Sequence, residues 1–260
     1  MFSTAGLILA PAMLWGWVFY HSHRYKQTRL LLLLLLFAGG FLSGLLALVL
    51  NHSIEKYTAF WPGARFPYSE ILGQTVHYYS AGFWMMVGVN EELAKLVILL
   101  LLVYSSRHLE EAFDGILYVA VIALGFATIE NWFYLEQYGV PVIISRSIIT
   151  LPAHAFMSVP MGLMVAKSKI HLKEHQNVPH AYYIPMLWIL CGWMYSALLH
   201  GGYDLLLSLN LEYYAYGLVL MMGLQTALLG REALKRSKLI PQQNFTLDEA
   251  ENTKGIPTLI

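Results

Sequence analysis

Glu91 and Glu92 are adjacent carboxylic acids near the middle of an apolar stretch that runs from about Tyr79 to Tyr104. A helix of that length is long enough to cross a bilayer. An ionisable side chain at the centre of such a helix costs about 2.5–3.5 kcal/mol on membrane-insertion scales. Two of them in succession therefore indicate a chemical role that offsets this cost.

Three further apolar stretches carry polar side chains at similar depth. They contain Glu130 with Asn131, His154 with Ser158, and His200 with Asp204, while Lys95 follows Glu91 by four positions. Residues four positions apart lie on one face of a helix, and ionisable groups inside a membrane avoid lipid. We therefore expect these faces to meet around one interior cavity, about 10–20 Å below the external surface by the helical rise per residue.

These residue types are sufficient for metal-free hydrolysis of a peptide bond. One glutamate can hold a proton while its neighbour acts as a general base on a water molecule, which His154 helps to hold. His200, fixed by Asp204, can donate to the developing oxyanion, and Lys95 balances whichever glutamate is ionised. We therefore expect no metal or other cofactor. A zinc site formed by Glu92, His154 and His200 is the alternative, because imidazole and carboxylate groups both bind zinc.

The composition is that of a polytopic membrane protein. The chain of 260 residues is 57% hydrophobic and 12% charged, with a mean hydropathy of +0.54. Soluble domains carry about 25% charged residues. The formal net charge is zero, which gives no overall basic field for nucleic acid.

Seven stretches are apolar and long enough to be considered as membrane spans. They lie at roughly 4–20, 30–50, 79–104, 115–135, 141–166, 183–208 and 213–230. We predict an all-α bundle of about seven spans that forms one transmembrane domain over residues 1–230. Residues 51–75 would form an external loop, and residues 231–260 a polar tail.

Positively charged residues predict the orientation of the bundle, because cytoplasmic loops are enriched in them. One set of alternate loops and the tail carries Arg24, Lys26, Arg29, Arg107, Lys167, Lys169, Lys173, Arg231, Lys235, Arg236, Lys238 and Lys254. The other set carries only Lys56 and Arg65. The amino terminus is therefore predicted to be outside and the carboxyl terminus in the cytoplasm.

Two local features concern the backbone of the predicted spans. Pro152 and Pro160 flank His154, and because proline cannot donate a backbone hydrogen bond, we expect the fifth span to bend near the histidine. Gly40 and Gly44 give the second span a small-residue spacing that is typical of close helix packing.

Four stretches of the sequence resemble those of PrsW-type intramembrane proteases, which belong to the CAAX protease and bacteriocin-processing superfamily. They are EELAK at 91–95, FDGILYVAVIALGFATIENWFY at 113–134, RSIITLPAHAFMSVPMG at 146–162 and LLHGGYD at 198–204. They occur in the family's order and, with their spans, cover a core of about residues 79–208.

The resemblance implies that Glu91 and Glu92 are the catalytic carboxylates and favours Glu91 over Glu92 as the base. It implies that His154 assists the water and that His200 and Asp204 lie on the oxyanion side. Glu130 matches an acidic position before Asn131. The implied activity is cleavage of a membrane-anchored protein, such as an anti-sigma factor, near the external face of a prokaryotic cytoplasmic membrane. The oligomeric state is not implied.

Two other classes of protein fit parts of the pattern. Intramembrane glutamate, histidine and lysine also form proton relays in coupled transporters, although inverted repeats typical of such transporters are not visible in the sequence. A non-catalytic membrane scaffold would be expected to carry degraded motifs, whereas all the motifs here are intact. The sequence thus favours an intramembrane endopeptidase.

Overall fold

In a computed structural model, the chain forms a bundle of α-helices with one short hairpin. The structure describes residues 4–22, 28, 30–59, 68–71, 74–175, 178 and 182–237. The helices are α1 (Thr4–Ser22), α2 (Leu30–Ala59), α3 (Tyr78–Leu99), α4 (Ala112–Tyr138), α5 (Val140–Ile148), α6 (Thr150–Glu174), α7 (Tyr183–Ser208) and α8 (Glu212–Ser237). A π-helical turn, Leu100–Tyr104, continues α3.

Four segments within the described part are long and apolar enough to cross a membrane. They are Leu30–Ser53, Ala112–Tyr138, Val140–Glu174 and Tyr183–Ser208. The helix α3, with 22 residues, is slightly shorter than these segments and carries Glu91, Glu92 and Lys95 within its apolar sequence. The prediction of an all-helical membrane bundle is confirmed at this level.

The central helix of the bundle is α4. Every residue from Phe113 to Ile129 is buried, and the helix packs against α1, α2, α3, α6 and α8. A helix that is apolar on all sides is buried on all sides. Because α4 contacts most of the other long helices, side chains at its ends can meet residues from several of them.

Glycines allow α2 and α4 to approach each other at backbone distance. A Cβ atom on Gly40 would overlap the carbonyl group of Ile122, and one on Gly44 would overlap the side chain of Ile129. The predicted packing role of these two glycines is therefore confirmed. Since later residues of α2 meet later residues of α4, the two helices run in the same direction.

The predicted fifth span, 141–166, is two helices rather than one bent helix. The break lies at Ile149, where α5 ends and α6 begins. Pro152 falls in the first turn of α6, where a missing backbone N–H is not needed. Pro160 lies inside α6, which nevertheless continues to Glu174. The interruption of the helix therefore precedes His154 instead of flanking it.

The region predicted as an external loop, residues 51–75, contains regular structure. Helix α2 extends to Ala59, and the strands β1 (Tyr68–Ile71) and β2 (Gln74–His77) pair antiparallel. In that hairpin Tyr68 is opposite His77 and Ile71 is opposite Gln74. Part of the predicted external loop is therefore helical or paired in strands, while 60–67 and 72–73 lie outside the described residues.

The first residues of the predicted polar tail are helical. Helix α8 runs to Ser237, so residues 231–237 are helical, and residues 238–260 lie outside the described part of the chain. Several charged residues used for the predicted orientation also lie outside it, namely Arg24, Lys26, Arg29, Arg65, Lys238 and Lys254.

Candidate active site

Four helices bring together the polar residues that the sequence singles out. Helix α3 supplies Glu91, Glu92 and Lys95; α4 supplies Glu130 and Asn131; α6 supplies His154 and Ser158; and α7 supplies His200 and Asp204. The cluster lies in one half of the bundle. Glu130 and His200 are each about 12 Å from the carboxyl end of their helix by the rise per residue.

Glu92 is fully buried and both of its carboxylate oxygens are hydrogen-bonded. Its Oε1 atom accepts from Lys95 Nζ at 2.5 Å and contacts His200 Nδ1 at 2.9 Å. Its Oε2 atom accepts from Ser158 Oγ at 2.7 Å. Glu92 therefore links α3, α6 and α7. Because both of its oxygens are engaged, it is poorly placed to accept a proton from water as a general base.

Glu91 has a different environment, although it is the next residue in the chain. Its side chain is 12% exposed and forms part of a cavity wall. The Oε1 atom accepts a hydrogen bond from Asn51 Nδ2 at 2.9 Å, and Asn51 in turn accepts one from Asn90 at 3.1 Å. The Oε2 atom accepts no hydrogen bond from the described residues.

His200 is surrounded by carboxylates. Its Nδ1 atom is bound to Glu92, while its Nε2 atom lies 3.3 Å from Glu91 Oε2 and 3.6 Å from Asp204 Oδ2. Both ring nitrogens thus face acceptors, which a doubly protonated imidazole ring satisfies. The predicted pairing with Asp204 is present as the longest of these three contacts.

His154 lies on the other side of the cluster, edge-on to His200 with 5.0 Å between the ring centroids. Its Nε2 atom is 2.8 Å from Glu130 Oε2, and its Nδ1 atom is 3.4 Å from Lys95 Nζ. Glu130 also forms an ion pair of 2.8 Å with Arg146. His154 is therefore linked to two charged residues on opposite sides of its ring.

Arg146 fixes the outer edge of this group. Its Nε atom donates to Asn131 Oδ1 at 2.7 Å, and its guanidinium lies 3.7 Å from the centre of the Tyr134 ring. An arginine can make such planar and stacked contacts simultaneously, whereas a lysine cannot. Asn131 thus acts on the cluster through Arg146, which holds Glu130.

Lys95 is fully buried and lies between the two halves of the cluster. The sequence places it on the same face as Glu91, but its carboxylate partner in the structure is Glu92, three positions away. The ammonium group also lies 4.4 Å from the centre of the Phe126 ring. Lys95 therefore neutralises the carboxylate of Glu92 and not that of Glu91.

A cavity of about 320 Å³ adjoins Glu91 and Glu130. Its wall also includes Asn51 and Leu48 from α2 and Phe83 from α3. Of the two adjacent glutamates, only Glu91 belongs to this wall. Glu91 is therefore the member of the pair that a molecule entering from the cavity would meet.

Three donor groups lie near enough to one another to be tested as metal ligands. One atom each from Glu91, His154 and His200 falls within 4.8 Å of the others. Two histidines and a glutamate are a known ligand set for catalytic zinc. His200 fits this role, because Glu92 fixes its Nδ1 atom and leaves Nε2 facing Glu91.

His154 does not fit the role of a metal ligand in this arrangement. Its Nε2 atom faces Glu130, and Lys95, which can only donate, faces its Nδ1 atom. If Nε2 bound a metal, Nδ1 would carry a proton and need an acceptor. The zinc set that includes Glu92 fits no better, because both oxygens of Glu92 already have partners.

Two site residues were not anticipated from the sequence. Asn51 and Asn90 form the hydrogen-bonded chain that ends on Glu91. The only local signals are an amide side chain that ends the leucine-rich run of α2 and another that precedes Glu91. Neither signal indicates that the two residues meet.

The sequence is similar to one family and to several curated proteins. A family model described as PrsW family intramembrane metalloprotease matches residues 27–228. A protein named Protease PrsW from Shouchella clausii is 29% identical over 214 residues, which cover 82% of this chain and 87% of that protein. Proteins of the same name from Clostridioides difficile and Geobacillus kaustophilus are 26% and 32% identical, covering 83% and 63% of this chain and 82% and 68% of their own lengths. No solved structure matches the chain.

Proposed function

Because the chain belongs to the PrsW family of intramembrane proteases, we propose that it cleaves membrane-anchored proteins with a water molecule activated by Glu91. The observation that carries this proposal is the difference between Glu91 and Glu92. Glu91 lines the cavity and keeps one oxygen, Oε2, without a hydrogen bond from the described residues. Glu92 has no such oxygen.

Glu91 would act as the general base. A water molecule bound to its Oε2 atom loses a proton to the carboxylate while its oxygen attacks the carbonyl carbon of the peptide. The separation of 3.3 Å between Glu91 Oε2 and His200 Nε2 allows one water molecule to lie within about 2.8 Å of both atoms. Asn51 holds the other oxygen of Glu91, so the carboxylate is already oriented.

His200 would stabilise the tetrahedral intermediate. Its Nε2–H group is the donor nearest to Glu91 Oε2, at 3.3 Å, and it is directed by the bond between Nδ1 and Glu92. Such a fixed donor in a site without bulk water lowers the energy of the oxyanion. When the intermediate collapses, the C–N bond breaks and Glu91 returns its proton to the leaving amine.

His154, Ser158, Asn131 and Lys95 would support these groups. Ser158 and Lys95 hold Glu92, while His154 connects Lys95 to Glu130. Asp204 adds a second carboxylate beside His200 Nε2. These residues fix orientation and charge, and Glu91 and His200 contact the reacting atoms.

The family description names metalloproteases, yet His154 does not fit as a third ligand beside Glu91 and His200 among the described residues. His154 faces Glu130 and Lys95 with its two nitrogens. No step of the proposed reaction therefore uses a metal ion. The water is activated by Glu91 alone.

The proposal includes the placement of the protein in a bacterial cytoplasmic membrane. We infer seven spans, with α1, α3 and α8 crossing the membrane in addition to the four apolar segments. Basic residues support a cytoplasmic position for one end of the bundle. At that end Lys169 donates to the carbonyl group of Ser106, and Gly230 lies near Phe113. The cluster lies nearer the opposite, external end, which suits a substrate cut at its external side.

This orientation can be measured by chemical labelling of cysteines. In a Cys191→Ser background, a membrane-impermeant thiol reagent should label Lys173→Cys only from the cytoplasmic side and Glu212→Cys only from outside. The reverse pattern would contradict the proposed orientation.

Proteolysis itself is tested with purified protein in liposomes and a single-span protein substrate in water enriched in ¹⁸O. We expect two fragments, and the new carboxyl terminus should contain one ¹⁸O atom, because the attacking oxygen comes from water. Proton flux across the liposomes without fragments would favour a transporter and would contradict the proposal.

A further inference from the structure

We propose that the cavity between α2, α3 and α4 is a substrate pocket that takes a large apolar side chain from an unwound segment of the cleaved protein. This inference rests on the proposed function and extends it. It gives α2 a role in selecting the substrate, although α2 contains none of the four sequence stretches that resemble the family. No residue of α2 had been assigned such a role by its sequence.

The pocket is polar at one end and apolar over the rest of its wall. Asn51, Glu91 and Glu130 form the polar end, and Glu91 is the proposed base. The remaining wall is formed by small and apolar residues: Gly44, Ala47, Leu48, Phe83, Phe126, Ile129 and Phe133, together with the more polar His52. A side chain bound against the apolar wall would place its own backbone beside Glu91.

The pocket is open between α2 and α4. Leu48 and Phe133 belong to its wall, yet they are 49% and 37% exposed. In a membrane these exposed surfaces face lipid or a protein helix that approaches from the lipid. A transmembrane substrate could therefore reach Glu91 laterally, without passing through water.

The size of the pocket limits what can enter. One turn of an α-helix with its side chains is about 10–12 Å wide and 5.4 Å long, which corresponds to about 500 Å³. The cavity of about 320 Å³ is smaller than such a turn, so it would hold side chains rather than a complete turn. It is large enough for one or two side chains, and we expect the segment that carries them to be extended where it is cut.

The charge of the pocket excludes acidic side chains. Apart from His52, the ionisable residues of its wall are Glu91 and Glu130, and both carry carboxyl groups. Glu130 pairs with Arg146 and Glu91 lies 3.3 Å from His200, but neither Arg146 nor His200 belongs to the wall that a substrate side chain would contact. An aspartate or glutamate of the substrate would therefore be repelled from the polar end and poorly solvated at the apolar end.

The first test uses substrates that differ at single positions around the mapped cleavage site. Wild-type protein should cleave a substrate with leucine or phenylalanine at one of these positions at least tenfold faster than the same substrate with alanine or aspartate, because a few methylene groups in an apolar pocket give such ratios. Leu48→Trp, which narrows the pocket, should reduce this ratio severalfold. Leu46→Trp is the matched control, since Leu46 is similarly exposed on α2 but is not part of the wall.

The second test does not depend on cleavage. A substrate that carries a photo-reactive leucine at the selected position is bound to the Glu91→Gln variant, and the cross-linked residue is identified by mass spectrometry. Cross-links to Leu48, Ile129 or Phe133 support the pocket, even if the wild-type protein were inactive in the assay. Cross-links confined to other helices would overturn it.

The two tests separate the pocket from the proposed function. If the wild-type protein cleaves its substrate but Leu48→Trp and Leu46→Trp give the same selectivity as the wild type, the pocket assignment is wrong and the protease assignment stands. If no cleavage occurs and no cross-link reaches α2 or α4, both are wrong.

Discussion

Glu91 and Glu92 are consecutive residues of α3, yet their carboxylates lie in different surroundings. Glu92 is fully buried between Lys95, Ser158 and His200. Glu91 reaches the cavity with a side chain that is 12% exposed. Successive side chains of a helix point about 100° apart, so one faces the packed interior and the other the opening. This difference supports the proposal that Glu91 acts in the reaction while Glu92 holds the site together.

Glu92→Gln should destabilise the protein. The substitution leaves the buried Lys95 without its carboxylate partner, and loss of one member of a buried ion pair costs about 3–5 kcal/mol. Lys95→Met should lower stability for the same reason. The double variant should recover much of this loss, because no unpaired charge remains. Unfolding of the purified protein in detergent measures each free energy.

The matched control is the exposed pair of Glu232 and Lys235, which has the same three-residue spacing and a separation of 3.9 Å. Glu232→Gln should change stability by less than about 1 kcal/mol, as is usual for surface pairs. Equal effects at the buried and the exposed pair, or strict additivity in the double variant, would show that Glu92 and Lys95 do not depend on each other.

Asn51 should act as a positioning residue for Glu91. Asn51→Leu removes the donor to Glu91 Oε1, so the carboxylate can rotate away from the water. Because a displacement of about 1 Å can reduce a rate about 100-fold, we expect kcat to fall about 10–100-fold while KM remains within about twofold. Steady-state kinetics with one substrate over a range of concentrations provide both values.

Ser53→Ala is the control for Asn51→Leu. Ser53 lies on the same helix, is exposed, and bonds only to the carbonyl group of Val49 among the hydrogen bonds found. Its substitution should leave both kinetic constants unchanged. An equal loss in KM and kcat for Asn51→Leu, or a lower unfolding temperature, would indicate a packing role instead.

Activity should persist after metal removal. His154 is engaged by Glu130 and Lys95, and the mechanism uses no metal ligand. Protein dialysed against a strong chelator should therefore retain its cleavage rate within about twofold, and elemental analysis should find less than one transition-metal ion per chain. Loss of activity that is restored by added zinc would refute the metal-free mechanism.

Substrates that unwind readily should be cleaved faster. The cavity is smaller than one helical turn, so part of the barrier is the loss of substrate helix. A pair of glycines next to the cleavage site costs about 1 kcal/mol of helix stability per residue relative to alanine. The glycine substrate should therefore be cleaved about tenfold faster than its alanine counterpart, and an equal rate would indicate that a helical substrate fits.

Much of the architecture follows from the sequence. Long apolar stretches predict the helices, because a polypeptide in lipid must satisfy its backbone hydrogen bonds internally. The meeting of Glu130, His154 and His200 also follows, since polar faces of separate helices avoid lipid. These predictions need only the length and periodicity of each segment.

Other features depend on contacts that no single segment specifies. Lys95 could reach Glu91 or Glu92 by helical spacing alone, and Ser158 and His200 fix the choice by binding Glu92. The bond between Asn51 and Glu91 joins helices whose sequences give no signal of their register. The break at Ile149 likewise depends on how α5 and α6 pack against α4.

The initial cleavage rate of Glu91→Gln, measured per folded molecule in liposomes against the wild type, tests the role of Glu91 most directly. Glutamine keeps the shape of the side chain and can still accept the hydrogen bond from Asn51, but it cannot take a proton from water. The role of Glu91 as general base predicts a rate about 10²–10⁴-fold lower with an unchanged unfolding temperature. A Glu91→Gln protein that cleaves within threefold of the wild-type rate would contradict it.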